Sequence, residues 1–270
     1  MESVTTTAPP PLINGQGTAE AQWQAWPQLH GLPEISLDRL VPAGIRAVVV
    51  APHPDDEVLA SGGMLAMLAA RGDPLLVVGV TDGDASHPGS ARWTPEQLAA
   101  FRHAEALAGL AQLGIKPQSY LRLSLPDGRV RSHHALLVES LGRVLRAGDV
   151  VLSTWTADGH PDHEATALAV AEACRAAHCR HLQSPVWMWH WAAPGDDRVP
   201  WTQLRRLRLT LDAQRRKKLA LLAHGSQLSA QDGGAPPVLP PAAVRRLLRP
   251  FEYLFTTQRC HRVDAGENGV

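Results

Sequence analysis

This sequence has few cysteines, only 5% aromatic residues and no formal net charge. Only 3 of its 270 residues are cysteine, and none of these forms a Cys-x-x-Cys pair. We therefore expect neither a disulfide framework nor a cysteine-rich zinc site. Lysine and arginine together number 26, as do aspartate and glutamate, so the formal net charge is zero. This balance gives no reason to expect nucleic acid or an anionic membrane as a partner.

Long apolar runs are missing as well. No hydrophobic run reaches the roughly 20 residues that a membrane-spanning helix needs. Residues 1–11 lack the basic and apolar regions of a signal peptide. We therefore expect a cytoplasmic protein. Histidine, by contrast, is abundant: the chain has 13, half the combined count of lysine and arginine, which favours a metal or acid–base site.

From residue 45 onward, short apolar runs alternate with longer amphipathic segments. The predicted strands are residues 47–51, 75–81, 119–123 and 149–154. The predicted helices are residues 57–71, 94–113, 135–146 and 163–177. This alternation predicts a Rossmann-like three-layer α/β sandwich, with a mainly parallel sheet and helices on both faces. Ligands bind to such sheets beyond the C-terminal ends of the strands.

The remaining segments complete the predicted organisation. Residues 1–43 are interpreted as an N-terminal tail, residues 44–258 as one folded domain, and residues 259–270 as a C-terminal tail. Residues 186–191 alternate tryptophan with methionine and histidine, which predicts a strand. Residues 201–224 predict a single basic helix whose arginine and lysine side chains face solvent.

Residues 51–57 read Ala-Pro-His-Pro-Asp-Asp-Glu and begin at the end of the first predicted strand. Burying one imidazole and three carboxylates there would be costly without a cation, because a buried carboxylate must be paired or coordinated. Acidic residues at a helix start are also common without a metal, since free N–H groups favour anions. This segment alone leaves both interpretations open.

A second cluster, Asp-Gly-His-Pro-Asp-His-Glu at residues 158–164, follows the predicted strand 149–154. A catalytic zinc takes three nitrogen or oxygen ligands and keeps one position open. One histidine and one carboxylate from the first cluster, with one histidine from the second, meet that requirement. The two clusters together therefore predict a metal site, although such ligands also suit iron or cobalt.

These elements resemble the LmbE-like family, also called the PIG-L (phosphatidylinositol-glycan) de-N-acetylases. The resemblance rests on the Ala-x-His-Pro-Asp-Asp-Glu element at 51–57 with Gly62-Gly63 downstream, and on His-Pro-Asp-His at 160–163. Weaker matches extend it over residues 45–257. The family implies metal-dependent hydrolysis of an acyl amide.

The resemblance also implies individual roles. The implied metal ligands are His53, Asp56 and His163, with zinc as the expected metal. Asp55 would act as the general base. His160 would stabilise the oxyanion as an imidazolium, although an exposed loop histidine is the alternative. Asp162 would orient a neighbouring ring or simply cap the following helix.

Other polar residues are weaker candidates. Asp82 and Asp84 could reach the pocket, but a turn explains them equally well. Arg92 is more typical of a surface arginine than of a substrate-binding one. His190 could face the site, whereas Cys174 is typical of a core residue.

The sequence thus predicts a zinc-dependent N-deacetylase that converts an N-acetylglucosamine-type conjugate to a free amine and acetate. The alternative is an amidase of the same fold that acts on a thiol conjugate or an acylated, antibiotic-like glycoside. The expected partner is an amidated sugar or glycoconjugate, and a homo-oligomer stays open. We expect the specificity loops at residues 84–95, 125–134 and 225–241.

Three other classes of protein fit less well. A dinucleotide-binding oxidoreductase would need Gly-x-Gly-x-x-Gly after the first strand. A non-catalytic scaffold would be expected to lose Asp55 or a metal ligand, and all are present. A two-metal phosphoesterase would need more carboxylates than these clusters supply.

Overall fold

A seven-stranded sheet organises the part of the chain that the structure describes. The computed structural model describes residue 13 and residues 15–256. The strands are β1 (Ala47–Ala51), β2 (Leu75–Thr81), β3 (Tyr120–Leu125), β4 (Val150–Thr154), β5 (Arg180–Ser184), β6 (Leu204–Arg208) and β7 (Phe251–Thr256). They lie in the order β3-β2-β1-β4-β5-β7-β6. β1 to β5 pair in parallel, whereas β7 is antiparallel to both β5 and β6. The predicted mainly parallel α/β sandwich is confirmed.

The helices follow the strands in the predicted alternation. They are α1 (Glu20–Gln24), α2 (Pro27–His30), α3 (Leu37–Leu40), α4 (Asp56–Arg71), α5 (Pro95–Gln112), α6 (His134–Val144), α7 (Pro161–Ala177), α8 (Met188–Trp191), α9 (Leu211–Leu222), α10 (Gly225–Leu228) and α11 (Pro241–Leu247). α5 begins with a reciprocal cap between Thr94 and Gln97. α4 ends at Gly72, which adopts the left-handed conformation with φ 81°. Within the described residues, no helix has the length and apolar character needed to cross a bilayer.

The core lies on both faces of the sheet, as β1 illustrates. This strand is buried along its whole length, and successive side chains point to opposite faces. Val49 packs with Leu65 of α4 in one apolar cluster. Val48 and Val50 pack with Leu137 of α6 in the other. Helices therefore cover both faces and leave the C-terminal edge of the strands for polar residues.

The N-terminal segment packs onto this core. Trp23 is fully buried, and its indole N–H donates to the carbonyl of Trp189 over 3.0 Å. Leu29 and Leu40 belong to the same apolar cluster. The domain limits at residues 43 and 258 stay a prediction. Residues 1–11, the tail 259–270 and Cys260 within it lie outside the described residues.

Two predicted elements are wrong. Residues 186–191 form a turn and the short helix α8 instead of a strand, because Asp158 accepts three consecutive N–H groups there. The donors are Val186, Trp187 and Met188, at 2.9, 3.0 and 3.1 Å. Residues 201–224 contain β6 before α9 instead of one helix, since β6 pairs with β7.

Candidate active site

The two polar clusters meet at one edge of the sheet. The first follows β1 and leads into α4, whereas the second follows β4 and leads into α7. Because β1 and β4 are parallel neighbours, their C-terminal ends bring the clusters together. This is the juxtaposition that the sequence predicts.

Asp56 lies between two imidazole rings. Its Oδ2 atom is 3.1 Å from Nδ1 of His53 and 3.1 Å from Nε2 of His163. The Asp56 and His163 side chains are almost completely buried, and that of His53 is 12% exposed. Burial opposes ionisation of Asp56, but the charge and hydrogen bond of His163 outweigh it and lower its pKa. Burial likewise opposes charging of His163, but Asp56 and Asp158 raise its pKa to about 9.

Asp158 fixes the orientation of His163. Its Oδ2 atom lies 2.8 Å from Nδ1 of His163, so Nε2 of that ring faces Asp56. The Asp158 side chain is completely buried, and it also accepts the N–H groups at the start of α8. This role of Asp158 was not predicted from the sequence, although a carboxylate five residues before a candidate ligand is a signal for it.

The other ring nitrogen of His53 lies next to two carboxylates. Nε2 lies 3.2 Å from Oδ1 of Asp127 and 3.5 Å from Oδ2 of Asp162. Burial lowers the pKa of His53, but bonding to Asp127, Asp162 and Asp56 outweighs it and raises the pKa well above 6.5. Hydrogen bonding to His53 in turn overcomes burial and lowers the pKa of Asp127 to about 2. Asp127 is a further site residue to which the sequence analysis assigned no role.

Asp162 anchors a loop to the start of α7. It accepts the N–H groups of Gly128 and Val130 at 2.7 and 3.1 Å. It is not the N-cap of α7, because that position belongs to His160, whose Nδ1 accepts the Asp162 N–H over 3.3 Å. The ring nearest to the Asp162 carboxylate is that of His53.

Asp55 is buried in a strained backbone conformation. Its φ is 138°, a region that non-glycine residues adopt only when the surroundings impose it. Its N–H donates to Glu57 over 3.1 Å, and its Oδ1 lies 3.4 Å from Nη2 of Arg102. Arg102 also donates to the carbonyl of Pro54 over 2.7 Å. Burial raises the pKa of Asp55 to about 7, although the Arg102 charge opposes the shift.

His160 lies beside both other imidazoles. Its ring centroid is 4.9 Å from that of His53 and 4.7 Å from that of His163. Burial and then the neighbouring His163 and His53 lower the pKa of His160 to about 3. The ring is therefore neutral at neutral pH, which differs from the imidazolium expected above. Because Nδ1 accepts from Asp162, Nε2 carries the proton and can act as a donor.

Two residue groups here could hold a metal ion. In each group, one ligand atom per residue lies within 4.8 Å of the others. The groups are His53, His160 and His163, and His53, Asp127 and Asp162. Imidazole nitrogens and carboxylate oxygens are a donor set that zinc and iron accept.

A pocket of about 240 Å³ opens over these residues. Its polar lining consists of His53, Asp55, Asp56, Ser86, Arg102, Asp127, His160, His163 and Gln227. Its apolar lining residues are Leu59, Ala85, Trp187, Val238 and Leu239. All three loops predicted to set specificity contribute residues to this lining.

The weaker candidates lie elsewhere. Asp82 pairs with Arg122, and the guanidinium of Arg92 stacks over Trp93. Nδ1 of His190 lies 2.9 Å from Nη2 of Arg246. Within the described part of the chain, the pocket lining includes none of Asp82, Asp84, Arg92 and His190. Cys174 is a buried core residue, as predicted.

Sequence comparisons relate this chain to known proteins. Residues 48–174 match the family model described as PIG-L, GlcNAc-PI de-N-acetylase. A 1D-myo-inositol 2-acetamido-2-deoxy-alpha-D-glucopyranoside deacetylase from Mycolicibacterium gilvum is 29% identical over 156 residues, which cover 49% of this chain and 55% of that protein. This chain spans about half or less of the length of the curated relatives it matches.

Solved structures share the fold. The A40926 pseudoaglycone deacetylase Dbv21 matches with a TM-score of 0.60 and 24% identity, covering 79% of this chain and 97% of that one. The 4-carboxy-2-hydroxymuconate hydratase GalB from Pseudomonas putida matches with a TM-score of 0.51 and 19% identity, covering 68% and 80%. At such identities these likenesses concern the fold alone, and the fold serves a hydratase as well as a deacetylase. Together with the family match, the two clusters identify residues 48–174 as a domain of the PIG-L, or LmbE-like, family.

Proposed function

We propose that this protein is a zinc-dependent hydrolase that removes the acetyl group from an N-acetylglucosamine-type conjugate. The products are acetate and a free amine. The observation that carries the proposal is one buried oxygen of Asp56 lying 3.1 Å from nitrogens of both His53 and His163. The PIG-L domain and the acetamido sugar named for the Mycolicibacterium relative support it.

His53 and His163, which belong to the first of the two groups above, would hold the metal together with Asp56 in place of His160. Oδ2 of Asp56 lies 3.1 Å from a nitrogen of each ring, and the other nitrogen of His163 is bound by the buried Asp158. Such a carboxylate–histidine pair is the usual support of a ligand imidazole. When bound, zinc supplies a Lewis acid that polarises an acyl carbonyl and lowers the pKa of water.

Asp55 is the proposed general base. Its carboxylate lines the pocket and pairs with Arg102 at 3.4 Å, whereas Asp56 is the carboxylate that bridges the two imidazoles. A pKa of about 7 suits a group that accepts a proton from water and returns it to the leaving amine near neutral pH. Arg102 and the Glu57 contact to its N–H hold Asp55 in its strained conformation.

His160 is the proposed oxyanion donor. Because its Nδ1 accepts a backbone N–H, its Nε2 carries the proton and can donate it within the pocket that His160 lines. A neutral imidazole can donate to the carbonyl oxygen as negative charge develops there. In this proposal Asp162 acts indirectly, by holding the loop of Gly128 and Val130 and lying beside His53.

The apolar residues of the pocket lining favour a second substrate class. Leu59, Trp187, Val238 and Leu239 line the cavity together with the polar residues. Apolar surface of this kind stabilises a substrate that carries an apolar group next to its amide. An acylated glycoside of the antibiotic type, or a thiol conjugate, would fit this description and would undergo the same reaction.

The cysteines support a reducing, cytoplasmic location as part of the proposal. Cys174 and Cys179 are both free thiols, one buried and one partly buried. Free thiols are typical of proteins from a reducing compartment.

The test is to incubate the zinc-loaded protein with N-acetylglucosaminyl conjugates, acylated glycosides and thiol-conjugate amides. We expect equimolar amine and carboxylate from at least one member. The matched variant Asp55→Asn should bind zinc but release both products at least about 10²-fold more slowly. The proposal fails if no amide is cleaved, or if Asp55→Asn cleaves as fast as the parent. Hydration of an unsaturated acid without amide cleavage would favour the hydratase chemistry that the fold also serves.

A further inference from the structure

Lys217 and Glu252 form an ion pair in the protein interior, next to α4. Nζ of Lys217 lies 2.7 Å from Oε1 of Glu252, and the two side chains are only 3% and 2% exposed. The prediction that the basic side chains of this segment face solvent is therefore wrong for Lys217. Removing two charges from water costs free energy, so such a pair often stabilises a protein no more than apolar side chains of similar volume would. Stability alone therefore does not account for this pair.

The pair bonds to the backbone of α4. The Glu252 carboxylate accepts the N–H groups of Gly63 and Met64 at 2.7 and 2.8 Å. Nζ of Lys217 donates to the carbonyl of Leu59 over 3.0 Å. In a regular helix the Gly63 N–H would donate to the Leu59 carbonyl. The ion pair thus supplies a partner to each member of one helical hydrogen bond.

The two glycines of α4 make this approach possible. A Cβ on Gly63 would lie 2.4 Å from Cδ1 of Leu209 and 3.1 Å from Oε1 of Glu252. A Cβ on Gly62 would lie 3.3 Å from Cγ of Lys217. Gly62 and Gly63 also contribute to the family resemblance. Because neither has a side chain, Lys217 of α9 and Glu252 of β7 can approach the backbone of α4 closely.

The anchored turn is the one that carries the site. Asp56 is the first residue of α4, and Leu59, whose carbonyl Lys217 binds, lines the pocket. We propose that Lys217 and Glu252 are positioning residues that fix the first turn of α4, so that Asp56 lies between His53 and His163. This inference rests on the metal site of the proposed function.

The test measures zinc affinity instead of turnover. Zinc dissociation constants are determined for the metal-stripped parent, Lys217→Met and Glu252→Gln by competition with a chelating dye. Both variants should bind zinc at least about tenfold more weakly, the scale seen when outer support of a metal ligand is lost. Lys217→Arg, which keeps the charge and the donors, should recover part of the affinity.

Arg46→Met is the matched control. Arg46 forms an ion pair with the buried Asp149. Arg46 directly precedes β1 and Asp149 directly precedes β4, so this pair lies at the edge of the sheet opposite the site. The variant removes the cation of that pair. It should lower the unfolding midpoint without changing zinc affinity. If Lys217→Met does not fold, the shape-preserving Glu252→Gln decides. The inference is overturned if the variants bind zinc as the parent does, or if Arg46→Met loses as much affinity. A parent that binds no zinc would overturn the metal site itself.

Discussion

Nδ1 of His163 lies 2.8 Å from Oδ2 of Asp158, and the Asp158 side chain is completely buried. The same carboxylate accepts the N–H groups of Val186, Trp187 and Met188. One side chain therefore orients a proposed metal ligand and fixes the turn that carries Trp187 to the pocket wall. Asp158 therefore connects the proposed metal centre to Trp187 in the pocket lining.

Replacing Asp158 by Asn should weaken zinc binding about 10- to 100-fold, because the support of His163 loses its charge. The measurement is a zinc titration of the metal-stripped protein. Asp149→Asn is the control, since Asp149 is also buried and hydrogen-bonded, but to Arg46 away from the site. Equal zinc affinity in the parent and Asp158→Asn would contradict the orienting role.

Zinc affinity should rise with pH. The pKa of His163 in the metal-free chain is about 9, so its ring is protonated at neutral pH, and an imidazole must lose this proton before its nitrogen can bind a metal. Binding therefore displaces this proton, and affinity should increase about tenfold per pH unit below pH 9 for each proton displaced. Calorimetry in buffers of different ionisation enthalpy counts the protons released. No release at pH 7 would refute this prediction.

The metal-free fold should become less stable as the pH rises above neutrality. The folded pKa of His163, about 9, is above its ordinary value of 6.5. Its contribution to stability is thus fully present below pH 6.5 and is lost as the pH rises through 9. Urea unfolding in chelator at pH 6.5 and 9 tests this. His163→Gln should have a smaller pH dependence than the parent, and an unchanged dependence would exclude His163 as its source.

Asp55→Asn should lower the rate of amide cleavage about 10²- to 10⁴-fold, the usual contribution of a general base. Zinc content should stay that of the parent, because Asp55 is not one of the proposed ligands. Asp84→Asn is the control, since Asp84 lies outside the pocket lining. Loss of zinc together with activity would instead make Asp55 part of the metal support.

Gly63→Ala should destabilise the fold by about 1–3 kcal/mol, as overpacking of a core does. Its Cβ would meet Leu209 at 2.4 Å. Gly142→Ala is the matched control, because Gly142 lies in α6 with nothing within 4 Å of a Cβ. That change should raise stability by about 0.5–1 kcal/mol. Urea unfolding measures both free energies, and equal effects would contradict the packing described here.

The sequence predicts those parts of the fold whose signals are local. The apolar run 47–51 coincides with β1, and the two histidine–aspartate clusters lie together because both follow parallel strands. The alternating residues 186–191 gave a wrong strand, because a carboxylate 28 residues earlier decides their conformation. Lys217 was likewise placed in solvent because its partner, Glu252, is 35 residues away. Roles for Asp127 and Asp158 were missed because they depend on contacts across loops.

Stripping and restoring the metal tests the central proposal most directly. The protein is dialysed against a chelator, and amide cleavage of a responsive conjugate is followed as zinc is added back. We predict no cleavage in the stripped protein and full recovery at one zinc ion per chain, with no recovery in His163→Ala. Undiminished cleavage by the stripped protein would contradict the account.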